Sequence, residues 1–291
     1  PVEYFWEANA FRLLLIIYLL FCFKFLKYLH KSAELSVIYY KDKEVLKLLD
    51  RDYQVIEKKL VEWIRKKVNN AGCKGAVVGL SGGIDSSVTS LLCQKAFPEN
   101  TLGIIMPCQS SPEDRIDAVK HAEKFGIKYK EIDLGGVYNQ FLKTIDQNDQ
   151  EADLNNIENA KMLSDAEQSQ KLALANMKPR LRMTLLYYYA NLNNYLVVGT
   201  DNRSELKLGY FTKFGDGGID IAPLGNLVKL EVRGRARKMG IDQKIITKAP
   251  SAGLWDGQSD EDEIGLSYRE IDYYIVDGNA EDEIKEKIEA I

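Results

Sequence analysis

Residues 75–80, GAVVGL, are a run of small and β-branched side chains that leads straight into SGGIDSS (81–87), and an apolar helical stretch, VTSLLCQKAF, follows at once. A strand that turns so tightly into a helix cannot pair with a hairpin return. The chain must cross a sheet face, and the next strand then lies parallel to the first. TLGIIMP (101–107) supplies that strand, 112–125 the next helix, KYKEIDL (128–134) a third strand and YLVVGT (195–200) a fourth. Ahead of them, Tyr53, Ile56, Leu60, Trp63, Ile64 and Val68 recur at helical spacing, and Asn70 to Gly72 closes that helix. The expected fold is therefore α/β, an open parallel sheet with helices on both faces. Residues 143–170, acidic and rich in Asn and Gln, read as a surface excursion before a long helix over 170–193.

The turn itself carries the chemistry. Gly82 and Gly83 let backbone approach an anion with no Cβ in the way. The amides of the turn and of the first helical turn point at that anion, with the positive end of the helix dipole behind them. Ser81, Ser86 and Ser87 add hydroxyl donors. The GxxxxGK[ST] spacing of a Walker loop and the GxGxxG of a dinucleotide fold are both missing. Asp85 would repel a bare phosphate, and a magnesium ion between carboxylate and phosphates resolves that conflict. An ordinary βα turn with a Ser/Asp cap is the plainer alternative.

Composition limits the partners. The chain has 291 residues, 45 % apolar and 28 % charged, with a net charge of −4, so no nucleic-acid-coating role is expected. Cys22, Cys73, Cys93 and Cys108 form no CxxC pair, and with only His30 and His121 a structural zinc site is not expected. A reducing cytoplasm fits this cysteine usage. Residues 1–45 read as an atypical hydrophobic extension. Their apolar run, Leu13 to Phe23, is eleven residues, shorter than the ~20 of a membrane-spanning helix, and no small-residue cleavage site follows it. An amphipathic helix is the expectation there, with a membrane or partner anchor as the alternative.

Three later stretches narrow the reading: NMKPRLRMT (176–184); GTDNRSE (199–205) continuing into GYFTKFGDGGIDIAPL (209–224); and KAPSAGLWDGQSDE (248–261). The SGGIDSS loop resembles the pyrophosphate loop of the N-type ATP pyrophosphatases, and together with these stretches the chain resembles the NAD synthetases from about residue 53 to about 277. That resemblance implies an adenine nucleotide alpha hydrolase-like (Rossmann-like) domain over 46–291. It also implies an enzyme, a homodimer, that uses ATP and magnesium to convert deamido-NAD to NAD through an acyl adenylate. Ammonia, free or delivered by a separate amidase, is the implied nitrogen donor, because the 80 residues ahead of the loop are too few for an appended amidase. A tRNA-thiolating enzyme would share the loop but would bring a CxxC pair or a basic RNA-binding domain. A non-catalytic nucleotide-binding module would not need both Asp85 and Glu205.

Carried over residue by residue, the resemblance assigns ATP to Gly79, Leu80, Ser81, Gly82, Gly83, Ile84, Asp85, Ser86 and Ser87, with Thr200, Lys229 and Ser251. It assigns magnesium to Asp85 and Glu205, and deamido-NAD to Arg180, Lys213 and Asp220, with Arg180 reaching a partner subunit. Asp85, Glu205 and Lys229 are the expected catalytic set. Position also supports Glu205, since open parallel sheets place ligands beyond their strand ends and Glu205 follows YLVVGT closely. The glycine-rich 209–220 segment reads as a mobile substrate loop. Two departures from the family pattern stand out: Pro179, which predicts a kink that would shift Arg180, and the lack of a basic tail up to Ile291.

Overall fold

A computed structural model describes residues 52–146, 165–255, 257–278 and 280–290. They belong to one unit, Arg51–Ile291. The expectations for residues 1–45, and most of the polar excursion, lie outside the described residues.

The chain opens with α1 (Tyr53–Asn70), whose first amides are met by the Asp52 carboxylate at 2.9 and 3.3 Å. Strand β1 (Gly75–Gly79) turns into α2 (Ile84–Ala96), and β2 (Thr101–Ile105) into α3 (Pro112–Phe125). Helix α3 starts where Pro112 at the first turn and the Ser111 cap predict, and it ends on Gly126 at φ 65°. Then come β3 (Lys128–Glu131), α4 (Gly135–Asp146), α5 (Asp165–Asn193) and β4 (Tyr195–Val197). The remainder is helical: α6 (Arg203–Leu208), α7 (Lys229–Lys238), α8 (Gln243–Thr247), α9 (Asp260–Ile264), α10 (Tyr268–Asp277) and α11 (Asp282–Ala290).

The four strands are parallel in the order β3-β2-β1-β4. The chain steps outward from β1 to β3 and then returns to the other side of β1. That reversal opens a crevice beyond the ends of β1 and β4, the place where such sheets bind ligands. Both faces are covered, as expected. Ala76 and Val78 pack with Ile64, Val68, Val88, Leu92 and Val232 from α1, α2 and α7. Val77, Ile104 and Val197 pack on the opposite face with Tyr138, Leu185, Leu186 and Ala190 from α4 and α5. The alternation of 76/78 against 77 is the period-two signature of a strand buried on both sides.

Some boundaries move. The regular strand in KYKEIDL ends at Glu131 and that in YLVVGT at Val197, although the Ile132, Leu134 and Val198 amides still donate to Ile105, Pro107 and Val77, and Val198 makes an isolated bridge to Ile221. Helix α4 runs into the acidic stretch as far as Asp146, and α5 begins at Asp165 and continues through Pro179. The proline therefore does not end the helix.

Candidate active site

A cavity of about 540 Å³ lies beyond β1 and β4, within the size range of small-molecule sites. Gly79, Leu80, Ser81, Gly83, Ile84, Asp85 and Ser86 form its floor, with Thr200, Glu205, Lys229 and Ser251 around them. Gly82 and Ser87 shape the floor from behind. Gly82 sits at φ +78°, and a Cβ there would strike the Asp114 carbonyl oxygen at the start of α3. The loop ties itself together. The Gly83 amide donates to Ser81 Oγ at 3.2 Å, and the Ser86 and Ser87 hydroxyls both donate to the Gly83 carbonyl, at 3.0 and 2.9 Å. Gly83 caps α2 without a side chain of its own, so the first helical amides keep their donors for a ligand.

Behind the loop, Lys229 joins two carboxylates. Its ammonium donates to Asp85 Oδ2 at 2.7 Å and to Glu205 Oε1 at 2.9 Å, with the three side chains 4 %, 17 % and 13 % exposed. Burial opposes a charge on Lys229, yet the two carboxylates hold its pKa above the ordinary lysine range. Burial pushes Glu205 the other way, up from the usual carboxylate range, against the pull of Lys229. Asn202 completes the frame: its amide group donates to Asp85 Oδ1 at 3.0 Å, while its Oδ1 accepts the Ser204 and Glu205 amides. Glu205 Oε2 returns a bond to the Asn202 amide at 3.0 Å, which makes a capping box. One oxygen of Glu205 thus serves the helix and the other faces Lys229. Tyr268 lies beneath, its ring 4.7 Å from the Lys229 ammonium and its hydroxyl 3.3 Å from both Glu205 Oε1 and Asp260 Oδ2.

The substrate-side assignments are placed differently. Asp220 does not line the cavity: its oxygens accept from the Val197 amide at 2.7 Å and the Tyr187 hydroxyl at 3.0 Å, fastening the 209–220 loop to β4 and α5. Arg180 Nε donates to the Lys213 carbonyl at 3.3 Å, and the Lys213 ammonium lies over the Phe214 ring. Neither cation lines the cavity, although Pro179 and Arg182 on either side of Arg180 do.

Several cavity residues were given no role from the sequence. Asp201 is 5 % exposed and its Oδ2 has no hydrogen-bond partner. Burial, then the Asp216, Glu205 and Asp85 carboxylates, push its pKa up to about 8. Arg182 donates to the Met106 carbonyl at 3.2 Å and to Ser110 Oγ at 3.1 Å, bracing the loop after β2. Lys248 pairs with Asp114 and Asp117 and so joins the KAPSAGLW segment to α3. The Asn202-x-x-Glu205 spacing was a readable cap signal. Lys248, Asp114 and Asp117 are too far apart in sequence to announce their pairing.

Among the described residues, no group of three or more His, Cys, Asp or Glu stands ready as a metal cage. The chemistry of the donors nonetheless suits magnesium, which keeps much of its water and takes one or two carboxylates plus substrate phosphates. Asp85 and Glu205 are such a pair, held at one ammonium.

Similarity to known proteins places the chain in a family. The NAD synthase family model matches residues 56–290. An NH(3)-dependent NAD(+) synthetase of Carboxydothermus hydrogenoformans is 51 % identical over 226 residues, 78 % of this chain and 86 % of the relative. The solved structure of an NMN synthetase from Francisella tularensis aligns with a TM-score of 0.72 at 36 % identity, covering 83 % of this chain and 93 % of that one. An NH3-dependent NAD synthetase from Campylobacter jejuni aligns at 0.60 and 30 %, covering 82 % and 95 %. The chain belongs to the NAD synthase family.

Proposed function

We propose that this chain catalyses the ATP-dependent amidation of deamido-NAD by ammonia, giving NAD, AMP and pyrophosphate. The observation that carries this reading is the Asp85–Lys229–Glu205 arrangement beside an anion-binding loop, in one cleft at the sheet's switch point.

In the first step a pyridine carboxylate oxygen attacks the α-phosphorus of ATP. A C–O–P bond forms, the bond to the β-phosphate breaks, and pyrophosphate leaves. In the second step the ammonia lone pair attacks the activated carbonyl, the C–O bond breaks with AMP as leaving group, and nitrogen gives up a proton. The amides after Gly83 and the Lys229 ammonium bind and orient the phosphates, and they neutralise charge on the departing pyrophosphate. Thr200 and Ser251 line the same cleft as further ATP contacts. Asp85 and Glu205 would hold a magnesium ion, which when bound adds Lewis-acid stabilisation of the phosphates. No side chain needs to become a covalent nucleophile. Arg180, Lys213 and Asp220 remain the proposed dinucleotide contacts.

A homodimer is part of this reading. Val137 and Phe141 lie one turn apart on α4, Tyr188 and Leu192 one turn apart on α5, and all four are exposed. Large apolar side chains spaced in this way suit a subunit interface. A reducing cytoplasm suits the free thiols of Cys73, Cys93 and Cys108. Among the described residues, no helix is long and apolar enough to cross a membrane.

The likeness to the Francisella NMN synthetase gives a second substrate a claim, the pyridine mononucleotide with the same carboxylate. The test is one incubation with ATP, magnesium and ammonium, run separately with each pyridine carboxylate. The expected result is equimolar AMP and NAD with deamido-NAD. Preferential turnover of the mononucleotide would replace the substrate and keep the chemistry. Absence of AMP with both would overturn the proposal.

A further inference from the structure

Asp272, on α10, is outside the cavity and fully buried. Its carboxylate accepts the Ser204 hydroxyl, the Leu230 amide at 2.7 Å and the Lys229 amide at 3.3 Å. Ser204 Oγ itself accepts the Lys229 amide at 3.2 Å. Every one of these donors belongs to the first turn of α6 or of α7.

The need for this carboxylate starts in the sequence. Helix α7 begins after Val228, whose side chain has no oxygen to cap the first amides. Those amides are buried and must find an acceptor elsewhere. Asp272 provides one from a helix some forty residues downstream, and its negative charge sits at the positive end of α7. Ser204 is the neighbour of Glu205, and Lys229 is the first residue of α7. The two helix starts that meet on Asp272 are therefore the two that present Glu205 and Lys229 to each other and to Asp85.

We propose that Asp272 is a positioning residue: it locks the first turns of α6 and α7 to one carboxylate and so sets the placement of Lys229 against Glu205 in the cleft. Its kinetic readout rests on the synthetase reading above, whereas its binding readout does not.

A double-mutant cycle tests it. Asp272→Ala, Lys229→Met and the double variant are compared with the parent for kcat and for the Kd of ATP by calorimetry, after circular dichroism and a thermal melt establish that each is folded at the assay temperature. A displaced supporting group of this kind costs roughly 10- to 100-fold. That loss is expected in kcat, with the ATP Kd also raised and the ammonia KM within about twofold of the parent, and Asp272→Asn should recover much of it. If Asp272 acts through Lys229, adding Asp272→Ala to Lys229→Met should weaken ATP binding by less than about threefold more. Parent-like kcat and Kd in Asp272→Ala, or the full single-variant loss in Kd repeated on top of Lys229→Met, would overturn the proposal. If Asp272→Ala does not fold, Ser204→Ala takes its place in the same cycle under the same two criteria. Should the parent bind ATP but make no NAD, the synthetase reading fails, while the cycle on Kd still decides the role of Asp272.

Discussion

Around Asp85, Glu205 and Lys229 each side chain is held by at least two partners, whereas Arg180 and Lys213, outside the cavity lining, hold one another loosely. Arg180 reaches a backbone carbonyl of the 209–220 loop, and the Lys213 ammonium lies on an exposed phenylalanine ring. The difference follows from burial. Charges taken out of water must be paired and hydrogen-bonded or they are not tolerated, so the Lys229 side is fixed within a single chain. Solvated cations carry no such requirement. The Lys229 wall of the cleft is finished before any ligand arrives, and the Arg180–Lys213 pair outside it is not.

Lys229→Met attacks the finished wall directly. It leaves Asp85 and Glu205 facing each other with no cation between them, a loss of about 3–5 kcal/mol when one partner of a buried pair is removed. Turnover should fall by roughly 10²- to 10³-fold. A thermal melt and an AMP-release assay measure both, and a variant within tenfold of the parent would break the contrast. Gly82→Ala comes next. A side chain at φ +78° strikes the Asp114 carbonyl, so the loop and the start of α3 must separate, at a cost of about 1–3 kcal/mol in melting experiments together with weaker ATP binding.

Asp201→Asn sharpens the comparison through pH. The native carboxyl titrates near 8, above its usual range, so the folded state keeps a proton that the unfolded chain releases. The parent therefore loses stability as pH rises from about 4 to about 8, and its penalty is constant above that. The asparagine variant lacks this loss. Its melting-temperature advantage should grow across the same window and disappear at pH 4; an advantage that does not change with pH would refute the assignment.

The smallest effects separate residues grouped together as substrate contacts. Asp220→Ala strands the buried Val197 amide and should cost about 1–2 kcal/mol of stability. Lys213→Ala should melt within about 0.5 kcal/mol of the parent, while raising the KM for deamido-NAD roughly tenfold if the lysine meets that substrate. Equal melting curves for the two would erase the distinction.

Much of this was legible in the chain. GAVVGL followed by SGGIDSS specifies a strand, a sharp turn and a helix by local sterics alone, and the Pro112 start and Gly126 end of α3 are where their backbone preferences put them. Strand ends were less legible, because the pairing of 132–134 and 198–200 depends on how far the neighbouring strands reach. Asp220 shows the limit for a site residue. An aspartate in a glycine-rich loop reads as a ligand contact, and only the fold shows that it also holds the Val197 amide and the Tyr187 hydroxyl.

The sequence by itself determined the α/β class and the tight glycine turn from strand to helix, since both rest on interactions between residues a few positions apart. It also determined which carboxylates and lysines were available. Only the tertiary structure decided that β4 returns beside β1, that Lys229 bridges Asp85 across 144 positions, and that Asp272 caps a helix Val228 could not. Those contacts join residues distant in sequence, and their partners are selected by the shared need to pair buried charge and buried amides, which arises only once the layers have packed.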